Sequence, residues 1–346
     1  MRLLTVVGAR PQFIKAAVVG RALAAREGIE HLLIHTGQHF DPRMSAQFFD
    51  ELAIKEPDYN LAIAGGPHGQ MTGRMLEAIE QVFLNVRPDG VLVYGDTNST
   101  LAGALAAAKL HIPIYHVEAG LRSFNRRMPE EVNRVLTDHL SALLFCPTET
   151  SMSNLKAEGV TSGLHLVGDV MYDATLFARA SASQSKSLAE KAGLASREYV
   201  LLTLHRAENT DDPGRLAGIC RYIENAVEGR PVVFPVHPRT RQAFDRYGLT
   251  LSDVTMVDPV GYMEMNRLLA GAALVMTDSG GLQKEAYFHR KPCITLREET
   301  EWVETIEAGW NRLWRSEGYQ TRREIEAYGD GHAGDKIVQV IENSFN

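Results

Sequence analysis

The sequence predicts an α/β protein with two parallel-sheet domains, and two observations carry that prediction. Short apolar runs alternate with amphipathic stretches, a pattern typical of parallel strands joined by crossover helices. One strand–turn–helix–strand unit also occurs twice, at 89–118 and again at 272–298. Each copy has an acid directly after its first strand, Asp96 in one and Asp278 in the other. Because ligands bind beyond the carboxyl ends of parallel strands, the repeat predicts two half-sites facing one cleft.

Length and composition are those of an ordinary globular protein. The 346 residues suffice for two domains of about 150 residues each. A net charge of −7 and the lack of any Lys/Arg run argue against a nucleic-acid partner. We expect a cytoplasmic protein, since the sequence has neither a signal peptide nor a stretch long and apolar enough to span a bilayer. Cys146, Cys220 and Cys293 have no CxxC or zinc spacing, which predicts reduced thiols and no metal site.

The first predicted strand, 3–7, is followed by two cations. Arg10 lies in the turn after the strand, and Lys15 lies in the first turn of the next helix. Two cations there oppose the helix dipole, which a bound diphosphate would compensate. The alternative is a pair of solvated surface cations. No G-x-G-x-x-G sequence follows this strand or any other, which disfavours a dinucleotide cofactor.

Three acids of the first half lie at the ends of predicted elements. Asp96 and Glu118 follow buried strands, and Glu131 lies in the first turn of a helix that begins at Pro129. Arg134 lies on the same helix face as Glu131, three residues further on. Carboxylates in such positions predict acid–base chemistry. Compensation of the helix dipole is the alternative for the two acids that follow Pro129, Glu130 and Glu131.

Two histidines end neighbouring strands of the second half. His205 follows the strand 199–204, in the relative position that Arg10 has in the first half, and His237 follows the strand 232–236. A lone histidine is more often structural than catalytic. Two at the strand ends of one sheet favour a site role, more for His205 than for His237.

The turn at 278–281 is a candidate phosphate site. Ser279, Gly280 and Gly281 lead into a predicted helix at 282–288. The free backbone N–H groups and the helix dipole favour an anion, and glycines allow it to approach closely. Glu285 lies one turn further on, where it would accept hydrogen bonds from a ribose diol. An ordinary turn capped by Ser279 is the alternative.

Ten ordered motifs, spread over residues 1–341, resemble those of the non-hydrolysing UDP-N-acetylglucosamine 2-epimerases. The resemblance implies the GT-B architecture, in which two Rossmann-like domains surround a deep cleft. It also implies a cytoplasmic isomerase of polysaccharide biosynthesis, a homodimer, that uses neither NAD nor a metal. The motifs are GARPQFIK, HTGQH, YGDTNST, HVEAGLRS, MPEEVNR, LHRAEN, PVHPRT, TDSGGLQKEA, KPCITLREETE and YGDG.

The resemblance also implies a reaction and a set of site residues. UDP would be eliminated to leave a 2-acetamidoglucal and would add back with carbon 2 inverted. The catalytic residues would be Asp96, Glu118, Glu131, His205 and Lys15. The residues binding the UDP-sugar would be Arg10, Arg134, Ser279, Gly280, Gly281 and Glu285. Activation by substrate would involve Gln38 and His39.

Three segments are expected along the chain. Residues 1–172 would form the Rossmann-like domain that carries the carboxylates, and 173–330 the Rossmann-like domain that binds UDP. A closing helix in 331–346 would pack back on the first domain. The serine-rich stretch 181–187 has the composition of a linker.

Two motifs depart from the usual family pattern. Residues 10–12 read RPQ where RPE is usual, and 300–304 read TEWVE where TERPE is usual. With HGQMTGR at 68–74, they resemble the branch that contains UDP-2,3-diacetamido-2,3-dideoxyglucuronate 2-epimerases. UDP-N-acetylglucosamine is the expected substrate and the diacetamido uronate the alternative. A hydrolysing 2-epimerase or a GT-B glycosyltransferase are further alternatives. A uronate would need a cation near carbon 6, for which the candidates are Arg122, Arg126 and Arg127.

Overall fold

The computed structural model describes residues 1–38, 51–52, 54–181, 188–191, 193–194 and 198–345. They form two compact units, of which the first comprises Met1–Leu176 with Glu326–Asn346 and the second Phe177–Ile325. The predicted linker at 181–187 lies almost wholly outside the described residues. No helix in the described part of the chain is long and apolar enough to cross a membrane.

The first unit is built on a parallel sheet that has seven strands within the described residues. The strands are β1 (Arg2–Val7), β2 (Glu30–His35), β3 (Tyr59–Asn60), β4 (Gly90–Tyr94), β5 (Ile114–Val117), β6 (Leu143–Cys146) and β7 (Leu164–Leu166). Their order in the sheet is β3-β2-β1-β4-β5-β6-β7. The helices between them are α1 (Arg10–Ala24), α2 (His68–Val86), α3 (Asn98–Lys109), α4 (Pro129–Leu140), α5 (Glu149–Ala157) and α6 (Val170–Ala180).

The second unit repeats this plan with a parallel sheet of six strands in its described residues. The strands are β8 (Val200–Thr203), β9 (Val232–Pro235), β10 (Val254–Val257), β11 (Leu274–Thr277), β12 (Cys293–Thr295) and β13 (Asn311–Leu313), in the order β10-β9-β8-β11-β12-β13. The helices are α7 (Leu188–Lys191), α8 (Ala207–Thr210), α9 (Pro213–Ala226), α10 (Pro238–Tyr247), α11 (Tyr262–Gly271), α12 (Gly280–Phe288) and α13 (Val303–Glu307).

The two sheets confirm the predicted α/β class and internal repeat. In each sheet the first strand in the chain pairs with the second on one side and with the fourth on the other. The strand order therefore reverses between β1 and β4, and again between β8 and β11. Asp96 follows β4 and Asp278 follows β11, so the two acids occupy equivalent positions. Such reversals are where open α/β sheets bind ligands.

Burial explains why the central strands are apolar runs rather than alternating ones. Strands β4, β8 and β11 are buried along their whole length, as both faces of a parallel sheet are covered by helices. Helix α3 approaches the sheet closely because its inward face is made of small residues. A Cβ added at Gly103 would lie 3.2 Å from the side chain of Val6. The alanine-rich sequence of α3 thus sets the position of the turn before it, which carries Asp96.

The last helix of the chain, α14 (Ala333–Phe345), belongs to the first unit. It packs on α1, and its side chains Ile337, Val338 and Ile341 are completely buried. The N–H group of Gly334 donates to Asp173 Oδ2 over 2.9 Å, which satisfies one of the N–H groups left over at the start of the helix.

Candidate active site

One buried amide, the side chain of Gln12, joins the turn after β1 to the end of β4. Its Oε1 accepts the N–H groups of Gly8 (2.8 Å) and Ala9 (3.0 Å). Its Nε2 donates to the carbonyl of Tyr94 and to Thr100 Oγ1, each over 2.9 Å. An ionised carboxylate has no donor and could not make the second pair of bonds. The glutamine in RPQ, where the family usually has glutamate, therefore has a structural role. The sequence alone did not reveal that role.

Lys15 and Glu118 form a buried ion pair beside the Asp96 turn. Their side chains are 10% and 8% exposed. A Cβ added at Gly95 would lie 3.1 Å from Lys15 Nζ and 3.9 Å from Glu118 Oε2. Glu118 itself has a φ of +71°, a conformation that costs free energy in any residue but glycine. Three predicted site positions, Lys15, Asp96 and Glu118, are thus brought together at the carboxyl edge of the sheet.

Arg134 bridges the other two predicted carboxylates. Its Nη2 donates to Asp96 Oδ2, and its Nη1 donates to Glu131 Oε2 over 3.0 Å. The arginine side chain is 4% exposed, whereas the Asp96 side chain is 31% exposed. The i, i+3 spacing on α4 predicted the contact between Glu131 and Arg134. It could not show that the same guanidinium reaches Asp96.

Glu131 holds the start of the loop that precedes its own helix. Besides Arg134, it accepts the N–H groups of Ser123 and Phe124, each over 2.9 Å, and the Ser123 hydroxyl over 3.0 Å. Glu131 is only 2% exposed. The loop also has two buried apolar residues, Leu121 and Met128. Asp96 is consequently the more accessible of the two carboxylates that Arg134 joins.

Arg122 is buried and hydrogen-bonded to carboxylates of the protein. The structure therefore contradicts its candidacy as the cation near carbon 6 of a uronate. Its Nη1 donates to Asp138 Oδ2, and its Nε and Nη2 donate to the two oxygens of Glu158, all over 2.7 Å. The Arg122 side chain is 1% exposed. Arg126 and Arg127 are exposed and stay candidates for that role.

A completely buried carboxylate, Asp278, positions His205 in the second unit. Asp278 Oδ2 accepts the N–H groups of His205 (2.9 Å) and Arg206 (2.8 Å) and the Nδ2 of Asn209 (3.1 Å). His205 Nδ1 lies 3.1 Å from Asp278 Oδ1. Burial alone would raise the pKa of Asp278, but His205 and these donors outweigh it and lower the pKa. An ionised Asp278 thus orients an imidazole that is 43% exposed.

His237 caps a helix. It precedes α10, and its Nδ1 accepts the N–H of Arg239 over 3.2 Å. Its ring centroid lies 6.3 Å from that of His205.

Helix α12 begins at the predicted phosphate turn. Ser279 is its N-cap residue, but the serine side chain makes no capping hydrogen bond. Gly281 is exposed, and Glu285 is 6% exposed one turn further on. A Cβ added at Gly280 would meet Glu301 Oε1, so a larger residue there would require the glutamate side chain to move. Glu301 in turn accepts a 2.9 Å hydrogen bond from Arg297, a buried pair that the sequence did not reveal.

Three further predicted positions are Arg10, Gln38 and His39. Arg10 is the first residue of α1 and is partly exposed. Gln38 Oε1 accepts the N–H group (3.0 Å) and the hydroxyl (2.7 Å) of Ser99, in the first turn of α3. His39 lies outside the described residues.

The chain is similar to known proteins along nearly its whole length. The sequence profile of a family described as UDP-N-acetylglucosamine 2-epimerase matches residues 21–342. A UDP-2,3-diacetamido-2,3-dideoxy-D-glucuronate 2-epimerase from Pseudomonas aeruginosa is 52% identical over 99% of each chain. A UDP-N-acetylglucosamine 2-epimerase from Methanococcus maripaludis is 43% identical over 97% of each chain. The crystal structure of Methanocaldococcus jannaschii UDP-GlcNAc 2-epimerase in complex with UDP-GlcNAc and UDP superimposes with a TM-score of 0.91. It is 41% identical and covers 99% of this chain and 100% of that one.

Proposed function

The chain belongs to the UDP-N-acetylglucosamine 2-epimerase family, and on that premise we propose that this isomerase inverts carbon 2 of a UDP-2-acetamido sugar without hydrolysing it. The proposed reaction interconverts UDP-N-acetylglucosamine and UDP-N-acetylmannosamine. The observation that carries the proposal is the joining of Lys15, Asp96, Glu118, Glu131 and Arg134 at the carboxyl edge of one sheet. Each of them lies in a motif that resembles the family's.

The proposed reaction breaks and remakes two bonds. A base takes the proton from carbon 2, the C1–O electrons leave with UDP, and a C1=C2 double bond remains in the 2-acetamidoglucal. A UDP oxygen then adds to carbon 1, and a proton returns to carbon 2 on the opposite face. No carbonyl group acidifies the hydrogen on carbon 2. Departure of UDP must therefore run ahead of proton loss, which requires positive charge near the leaving diphosphate.

The carboxylates of the first unit would carry the proton transfers. Asp96, whose side chain is 31% exposed, is the most accessible of the three, and Glu118 is paired with Lys15. Glu131 accepts four hydrogen bonds, so its part in the acid–base set includes holding the loop that begins at Leu121. Proton transfer by a placed side chain is worth about a hundredfold to ten-thousandfold in rate.

The second unit would bind the nucleotide. The backbone N–H groups at the start of α12, behind Ser279, Gly280 and Gly281, would hold the phosphates. Glu285 would accept hydrogen bonds from the ribose diol. Arg10 and His205 would place positive charge or a proton near the departing UDP. The glucal must stay beside UDP until the two recombine, so the site has to hold both molecules in position.

A proton NMR time course in D2O tests the proposal. We expect retained UDP-sugar that gains deuterium at carbon 2, with the Asp96→Asn variant as the inactive reference. Accumulation of free UDP and free 2-acetamido sugar would instead identify a hydrolysing enzyme. Exchange that is absent even after long incubation would contradict the proposal and point to a glycosyltransferase that needs an acceptor.

A second candidate substrate is favoured by one finding, the 52% identical relative named as a diacetamido-glucuronate 2-epimerase. The uronate carboxylate would need a cation, and Arg126 and Arg127 are exposed. The test offers UDP-N-acetylglucosamine and the UDP-diacetamido uronate side by side. If the uronate is the substrate, Arg126→Gln or Arg127→Gln should lower kcat/KM for it and leave kcat/KM for UDP-N-acetylglucosamine unchanged.

We also propose a homodimer, on the strength of an apolar stripe along α4. Val132, Leu136 and Leu140 repeat at the i, i+4, i+8 spacing of one helix face and are 43%, 47% and 37% exposed. Leu136→Glu should convert a dimer into monomers in sedimentation velocity. Val303→Glu, which changes an exposed apolar residue of the second unit, should leave the dimer intact. Sedimentation of the unsubstituted protein as a monomer at micromolar concentration would refute the proposal.

A further inference from the structure

A buried charge cluster lies beside the turns that carry Asp96 and Glu118. We call it the Asp138 cluster, and it consists of His116, Arg122, Asp138 and Glu158. His116 Nδ1 lies 2.7 Å from Asp138 Oδ1, and the side chains of both are completely buried. Arg122 donates to Asp138 and to Glu158, as described above. None of these four residues has a part in the proposed proton transfers.

Each bond of the cluster reaches a segment that carries a proposed site residue. His116 Nε2 lies 2.8 Å from the carbonyl oxygen of Gly95, the residue before Asp96. Asp138 Oδ2 accepts the N–H of Gly120, two residues after Glu118, over 3.1 Å. Asp138 is therefore linked, directly or through one imidazole, to both turns.

The same carboxylate reaches a third segment through Arg122. Arg122 is followed by Ser123, whose N–H group and hydroxyl are bound by Glu131. The loop that Glu131 holds is thus fixed at Arg122 as well. One buried carboxylate, Asp138, connects the segments of all three proposed carboxylates.

The hydrogen-bond partners determine how many protons His116 carries. Both of its ring nitrogens face oxygen atoms, and the Gly95 carbonyl can only accept. The other facing atom, Asp138 Oδ1, belongs to a carboxylate whose second oxygen, Oδ2, accepts hydrogen bonds from Arg122 and Gly120. A neutral imidazole has a single N–H group and could satisfy one of the two oxygens as a donor. A doubly protonated His116 satisfies both.

Charge balance gives the same result. With a cationic His116, its charge and that of Arg122 cancel the charges of Asp138 and Glu158. With a neutral His116, the completely buried Asp138 would have only Arg122 as a charged partner, and Arg122 is shared with Glu158, whose side chain is 28% exposed. Burial alone would raise the pKa of Asp138, but His116 and Arg122 outweigh it and lower that pKa.

Two more titratable groups lie near the cluster. His139 Nε2 is 3.2 Å from Glu158 Oε2, at the exposed end of the cluster. Burial raises the pKa of the Cys146 thiol to about 12, so this neighbour stays neutral.

We propose that Asp138 and a doubly protonated His116 are positioning residues, which fix the turns of Asp96 and Glu118 in the geometry that proton transfer requires. The inference rests on the proposed function of Asp96 and Glu118. Neither positioning residue is proposed to touch the substrate. Loss of either should slow the chemical step and leave nucleotide binding intact, since the proposed contacts with the phosphates and the ribose, at Ser279, Gly280, Gly281 and Glu285, belong to the second unit.

The protonation state can be measured in the unsubstituted enzyme, whatever its activity. Nitrogen-15 NMR at pH 7.5 should show one histidine whose two ring nitrogens each carry a slowly exchanging proton. An ordinary histidine, with a pKa near 6.5, is mostly neutral at that pH. The two signals should disappear in the His116→Gln variant, which assigns them. A single N–H on His116 at pH 7.5 would overturn the proposal.

Kinetics test the positioning role. His116→Gln and Asp138→Asn should each lower kcat for carbon-2 exchange on the order of tenfold to a hundredfold. KM for the UDP-sugar and Kd for UDP should stay unchanged. The matched control is His165→Gln, in the edge strand β7 of the same sheet, which should keep wild-type kcat.

The outcomes separate the two proposals. A folded His116→Gln enzyme with full kcat, or with a raised KM as its only defect, would overturn the positioning role. If the variants do not fold, sequence-specific assignment of the histidine signals in the unsubstituted enzyme replaces the His116→Gln comparison, and the NMR measurement still decides whether His116 carries two protons. Absence of carbon-2 exchange in the unsubstituted enzyme would refute the proposed function. The measured protonation state of His116 would remain valid, because it does not depend on activity.

Discussion

Asp96 and Glu131 share one arginine, but they are held very differently, and this difference separates their expected effects. Asp96 is partly exposed, whereas Glu131 is buried and accepts four hydrogen bonds. Asp96→Asn should lower kcat on the order of a hundredfold or more, with UDP binding and thermal stability nearly unchanged. Calorimetry with UDP and a thermal melt check the two unchanged quantities. Wild-type turnover in this variant would remove Asp96 from the acid–base set.

Glu131→Gln should combine a similar loss of turnover with a loss of stability. Its amide nitrogen can only donate, so some of the donors of Ser123, Phe124 and Arg134 would lose their acceptor. An unsatisfied buried polar group costs about 1–3 kcal/mol. A urea titration measures this change in the free energy of unfolding. Turnover lost with no change in stability would mean that Glu131 acts in chemistry alone.

Gln12 gives a third prediction for a single residue. Gln12→Glu restores the usual family residue but removes the donors to the Tyr94 carbonyl and Thr100 Oγ1. It also places a carboxylate oxygen against a carbonyl oxygen. We expect a loss of about 1–3 kcal/mol in the free energy of unfolding, measured in urea. A variant as stable as the unsubstituted protein would show that the surroundings of Tyr94 adapt to either residue.

At the scale of elements, strands and helices follow from local sequence, whereas the polar contacts of the site do not. The apolar run before Asp278 and the two glycines after Ser279 predict β11 and the start of α12, and both are observed. The bonds between Asp278 and the backbone of His205 join residues 73 positions apart. Those between Gln12 and Thr100 span 88 positions. Periodicity and spacing report neighbours on one element, so such partners become visible only when strands meet in a sheet.

The same limit explains the error over Arg122. An arginine in a loop rich in polar residues is usually solvated. Here the guanidinium is buried because Asp138 on α4 and Glu158 after α5 offer it three acceptor oxygens. Buried arginine requires such pairing, and the pairing depends on how α4 and α5 pack.

Helix α12 carries its own prediction, which concerns nucleotide recognition. If Glu285 accepts hydrogen bonds from the ribose diol, Glu285→Gln should weaken UDP binding about tenfold, as a lost charged hydrogen bond is worth about 1.5–3 kcal/mol. The control ligand is 2′,3′-dideoxy-UDP, which has no diol. The unsubstituted protein and the variant should bind this ligand equally in calorimetry. Equal weakening for both ligands would show that Glu285 acts on the helix and not on the ribose.

At the scale of the whole molecule, each unit contains a histidine that burial keeps neutral. Burial, with the nearby charge of Lys55, lowers the pKa of His31 in the first unit from 6.5 to about 4, although Asp58 opposes the shift. Burial, with Arg179 and Lys291, lowers the pKa of His289 in the second unit to about 4 as well. Between pH 4 and pH 6.5, each of these two histidines therefore binds a proton in the unfolded chain but not in the folded chain.

The sign of the effect follows from that proton count. For these two histidines, stability should fall as the pH drops from 6.5 to about 4, since protons favour the state that binds more of them. The carboxylates Asp138 and Asp278 affect stability at lower pH. Their pKa values are lowered from 3.8, so their contribution is full above that pH and is lost as the pH falls further. The histidines thus control stability in the mildly acidic range.

Denaturant unfolding at pH 7.5, 6, 5 and 4.5 checks this prediction. Without substitutions, the free energy of unfolding should decrease steadily from pH 6 to pH 4.5. His31→Gln should flatten the decrease for the first unit, and His289→Gln should do so for the second, because glutamine does not titrate. The exposed His332, in the turn before α14, supplies the control, and His332→Gln should leave the slope unchanged. A slope that survives both substitutions would mean that other groups bind the protons, and the two buried histidines would then have no part in acid sensitivity.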